Sequence, residues 1–178
     1  MKKLLKRFPS AHSIIQVFAV VAFMVYAWSI GWFLWSLPSW LKFMTTGEIL
    51  SGFSYVLGFS LIESLAFLIF LLVWCFILPA TILRDEFIAR GTVVAISIIG
   101  SVMIYLRYFI SAIRLDNHFY LFLLTLLLSI IVIAFVSTAF PRLHQFINWL
   151  SDSFIIFLYI LVPLSLFSIL IVVIRNVI

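Results

Sequence analysis

Charge is what this chain lacks most: only 10% of its 178 residues are Asp, Glu, Lys or Arg, too few to clothe a water-soluble surface. One cysteine, Cys75, excludes an internal disulfide and any CxxC redox or zinc arrangement. No GxSxG, no HExxH, no glycine-rich phosphate loop and no acidic pair beside a base appears, so hydrolase, zinc-peptidase and nucleotide-binding signatures are all missing. Intervals between apolar runs are about a dozen residues or fewer, which leaves no room for a soluble domain. The three histidines, His12, His118 and His144, fall near the ends of apolar runs, so a haem or buried metal site lacks inward-facing ligands. No cofactor is expected.

What the chain does contain is apolar: 66% hydrophobic residues and a mean hydropathy of +1.34 specify an all-α, polytopic membrane helix bundle. Five spans are predicted, over residues 14–37, 61–83, 92–113, 119–140 and 154–174, in one transmembrane domain covering residues 1–178. The basic start, Met1 to Arg7, resembles a signal peptide, but the apolar run continues to Leu37 and reads as an uncleaved anchor. The net charge of +5 is assigned to topology and anionic headgroups rather than nucleic acid, because the basic residues are scattered or terminal. With five spans, Lys2, Lys3, Lys6, Arg7, Arg84, Arg90 and Arg142 share one side, against Lys42, Arg114 and Arg175 on the other. The positive-inside rule then gives a cytoplasmic N-terminus, an external C-terminus and a cytoplasmic-membrane location.

Between the first two spans lies an aromatic outer segment. Trp28, Trp32, Trp35 and Trp40, with Trp149 on a later run, are predicted as interfacial anchors; the functional alternative for the first four is an aromatic cage for a cationic ligand. Thr45 and Glu48 have capping-box spacing, and residues 46–60, with Gly52, Gly58 and several serines, are expected to bend or to lie along the surface as an interfacial helix. In the third span a stripe of Ser97, Gly100, Ser101, Ile104, Arg107, Tyr108 and Ser111 is expected to face protein. Ser151 or Asp152 is expected to cap the last span, with residues 146–150 along the surface before it and Pro163 near its centre.

Glu63 and Arg107 are the candidate site, an intramembrane polar pair. Counting back from Arg84 puts Glu63 at the outer interface, within side-chain reach of Arg107. Such a pair serves an ion, proton or anionic-substrate site, or else a structural ion pair between two helices. The preferred function is an accessory or scaffolding subunit packed against the bilayer and against other membrane subunits or itself. The alternative is a small transporter or channel using Glu63 and Arg107, and third comes a lipid-modifying enzyme at the aromatic rim.

Overall fold

In the computed structural model, residues 9–77, 86–109, 122–124, 126–128 and 140–177 are described. They build four long helices: α1 (Ala11–Trp40), α2 (Thr46–Ile77), α3 (Phe87–Phe109) and α4 (Pro141–Val177). All four are long and apolar enough to cross a membrane. The protein has the fold of a helical membrane protein, and no strand occurs among the described residues. Residues 122–124 and 126–128 are helical within the fourth expected span. The rest of that span, the Arg84-Asp85 turn and the Arg114 to His118 interval lie outside the described residues.

Local signals start the helices where side chains replace missing backbone partners. Ser10 caps α1, its hydroxyl accepting from the Ser13 amide at 3.1 Å. Thr45 and Glu48 form the expected reciprocal box: the Thr45 amide donates to Glu48 Oε2 at 2.7 Å, and the Glu48 amide donates to Thr45 Oγ1 at 3.4 Å.

Cross-helix contacts fix the directions. Gln16 of α1 bonds Asp152 of α4, and farther along the same two helices Tyr26 bonds Ser165, so α1 and α4 run parallel. Gly91 of α3 packs on Val17, while Arg107 near the other end of α3 stacks on Trp32 and Trp35. Helix α3 therefore runs the same way. Helix α2 is antiparallel, because Phe53 meets Phe33 whereas Leu71 and Cys75 cluster with Val17 and Val21. The start of α1 and the end of α4 therefore lie at opposite ends of the bundle, and α4 starts at the end opposite to that where α3 finishes.

Helix α1 sits at the centre. From Gln16 to Ala22 nearly every turn is buried, which requires neighbours on all sides, and α2, α3 and α4 supply them. One core joins α1, α2 and α3 through Val17, Val21, Leu71, Cys75, Phe87, Ala95 and Ile99; a second joins α1, α2 and α4 through Ala22, Tyr26, Leu57 and Leu61. Lipid tails are as apolar as leucine, so close packing and internal hydrogen bonds must hold these helices together.

Three expectations change. Residues 46–60 are not a separate interfacial helix but the first half of an unbroken α2. Their small residues let α4 approach: Ser51 and Ser54 are buried, and a Cβ at Gly58 would meet Ile169 at 3.2 Å. Ser151 and Asp152 do not cap a helix, since α4 runs unbroken through them. The Ser151 hydroxyl bonds the Ile147 carbonyl in its own helix and reaches Thr92 Oγ1 at 3.1 Å, so it is satisfied without ending the helix. On α3 the buried face is Gly91, Thr92, Ala95 and Ile99 instead of the Ser97 to Arg107 stripe, in which Ile104 is exposed. Alanine and glycine allow closer backbone approach to α1 than the serine stripe would, and polarity alone does not reveal that.

Candidate binding cleft

A cleft of about 600 Å³ lies between α1, α2 and α3. Trp28, Trp32, Phe33 and Trp40 of α1 form one wall, Glu63 and Phe67 of α2 the second, and Ile98, Ile99, Val102 and Met103 of α3 the third. Three of the five expected anchors, Trp28, Trp32 and Trp40, line this open cleft, with Trp32 still 40% exposed. Trp35 and Trp149 are exposed, as lipid-facing residues would be.

The aromatic wall is held by its own contacts. Trp28 and Trp32 are four residues apart, which puts them on one helix face, and their rings meet edge to face at 5.8 Å. Phe33 is braced between Trp40 at 5.5 Å and Phe53 at 5.0 Å. The Arg107 guanidinium lies 5.6 Å from the ring centroids of both Trp32 and Trp35. Two cation–π contacts suit a planar, weakly hydrated cation.

Glu63 is the ionisable side chain of the cleft lining; the other polar contributions come from Ser29, Ser36 and the indole N–H groups. Its carboxylate is exposed to the cleft and makes no hydrogen bond or ion pair with any described residue. The structure does not bring Glu63 and Arg107 into an ion pair. Arg107 spends its reach on the two indoles, and Glu63 faces the cleft.

Depth explains the separation. One polar layer is marked by Gln16 and Asp152, the other by Arg107 and by Arg175, which donates to Ser51. Val25, Glu63 and Ile99 line the cleft together between these layers. From Gln16 to Val25 α1 rises about 14 Å, and from Ile99 to Arg107 α3 rises about 12 Å. Glu63 thus lies midway between the polar layers, whose spacing approaches the roughly 30 Å of a hydrocarbon core.

At the opposite end of the bundle, His144 Nε2 donates to Glu86 Oε2 at 2.7 Å while its Nδ1 accepts from Asn148 Nδ2 at 3.3 Å. With Ser10 and Ser13 these groups border a small cavity of about 140 Å³. His12 is exposed on the first turn of α1, and no group of three or more His, Cys, Asp or Glu suited to a metal occurs among the described residues.

Sequence reasoning missed the part-buried pair Gln16 with Asp152 and the buried pairs Tyr26 with Ser165 and Thr92 with Ser151. A lone Gln in an apolar run was the available signal for the first. Compared with protein-family models, with curated proteins and with solved structures, the chain has no match.

Proposed function

We propose that this membrane protein is a small transporter whose guest occupies the cleft at Glu63, in preference to the accessory-subunit reading. The observation that carries this is an open carboxylate with no partner among the described residues, midway between the polar layers, on a cleft of about 600 Å³. A charge at that depth costs about 2.5 kcal/mol or more when nothing answers it, so its retention implies a task. The volume falls within the roughly 300–1,000 Å³ range of ligand pockets, and the lining combines aromatic walls with a few placed polar groups. On this reading Glu63 contacts the guest, whereas Arg107 locks Trp32 and Trp35 in place. The charge asymmetry of the loops supports a cytoplasmic N-terminus and a location in the cytoplasmic membrane.

A photoreactive benzoylphenylalanine at position 102, irradiated in native membranes, tests the reading. Adducts with small lipophilic molecules are the expected result. Cross-links to another polypeptide alone would favour the accessory subunit.

That second reading also has an observation behind it. Tyr159, near the middle of α4, is 79% exposed, and its hydroxyl makes no hydrogen bond with a described residue. A neighbouring protein on the outer face of α4 would supply the partner that lipid cannot.

A further inference from the structure

Resting on the transporter reading, we propose that the cleft takes a cationic amphiphile: a single positive charge on an apolar, aromatic-sized body, held with the charge against Glu63 and the body against Trp28 and Trp32. Three features of the cleft define this class. First, among the described residues its lining carries a negative group in Glu63 and no Lys, Arg or His. A single carboxylate facing an apolar cleft selects a monocation over a neutral or anionic guest, because only the cation answers its charge in a low-dielectric setting. Second, the edge-to-face pair Trp28 and Trp32 offers the π faces that attract soft, weakly hydrated cations. Third, the opposite wall, Ile98, Val102 and Met103, is apolar throughout and includes a flexible thioether that can adapt to guests of different outline.

Arg107 strengthens the choice. It stacks on Trp32 and Trp35, forms no ion pair with Glu63 and is not among the residues that line the cleft. An anionic guest would need that guanidinium inside the cleft. The neutral hydroxyls of Ser29 and Ser36 could accept from an ammonium proton, but a quaternary centre needs neither.

Three probes of similar body and different charge separate the possibilities: tetraphenylphosphonium, tetraphenylborate and uncharged triphenylphosphine oxide. Each is titrated into the purified full chain in lipid nanodiscs, read by equilibrium dialysis and by quenching of tryptophan fluorescence. Tetraphenylphosphonium should bind saturably at one per chain. Glu63→Gln should weaken it about thirtyfold or more, as loss of a desolvated charge partner does. Trp28→Leu should weaken it by about three- to tenfold. Val102→Trp, which fills the cleft and leaves Glu63 in place, should abolish it; a thermal melt of each variant establishes that the bundle remains folded.

Equal binding by wild type and Glu63→Gln, or tighter saturable binding of tetraphenylborate, would overturn the cationic assignment. If the uncharged oxide binds best and Val102→Trp still blocks it, the cleft is a guest site of another chemistry, and only the assignment fails. If no probe binds and Val102→Trp changes nothing, the transporter reading itself fails.

Discussion

Tyr26 and Ser165 tie α1 to α4 deep in the bundle, and cutting that tie separates two kinds of packing energy. Both side chains are almost fully buried, Tyr26 at 1% and Ser165 at 0% exposure. Tyr26→Phe removes one hydroxyl and leaves Ser165 able to turn to a carbonyl one helical turn back in α4. The expected cost is about 0.6 kcal/mol and at most about 1.7, the range for interhelical hydrogen bonds in membranes, because the separated helices also find partners. Tyr26→Ala removes about 100 Å³ of side chain as well, and at about 24 cal/mol per Å³ the cavity adds roughly 2–3 kcal/mol. Titration of the reconstituted chain with sodium dodecyl sulfate, followed by tryptophan fluorescence, measures both. The double variant Tyr26→Phe with Ser165→Ala should cost less than the sum of its parts. A Tyr26→Phe cost equal to that of Tyr26→Ala would refute the reasoning, since the hydroxyl would then outweigh the ring's packing.

Other positions make contrasting demands. Gly58→Val should destabilise the bundle by about 1–3 kcal/mol by pushing Ile169 and α4 away. Gly100→Ala, where an added Cβ meets nothing within 4 Å, should be neutral or stabilise by up to about 1 kcal/mol in the same titration. Cys75, buried among Leu71, Val17 and Phe87, should react slowly with a water-soluble maleimide in intact membranes, and fast labelling would place water at that core. Reporters fused before Ala11 and after Ile178 should appear on opposite sides of the membrane, the second outside; the same side for both would break the parallel arrangement of α1 and α4.

The helices were legible in the sequence because lipid demands what sequence displays: long apolar runs, aromatic clusters at their ends and a capping box at Thr45. Pairwise packing was less legible. Gly58 and Ser54 read as weakness in a lipid-facing span because their partner, α4, lies over 100 residues away in the chain. Ser151 and Asp152 read as a helix start because a serine that bonds back to its own helix looks the same in sequence as one that caps. The site residues were found and misassembled. Glu63 and Arg107 stand out as charges in apolar runs, yet their relation depends on Arg107 stacking on Trp32 and Trp35 and on the level at which α2 meets α1.

The measurement closest to the central claim, that Glu63 is the open anion of the cleft, is a dipolar dephasing experiment in solid-state NMR. Protein labelled with ¹³C at the glutamate side-chain carboxyls is saturated in lipid with tetraphenylphosphonium, and ³¹P–¹³C dephasing is recorded, with Glu63→Gln assigning the Glu63 signal. The account predicts that the Glu63 carboxyl is dephased by the bound phosphorus and that those of Glu48 and Glu86 are not. Dephasing of either of those two, or an undephased Glu63 with the probe saturably bound, would contradict it.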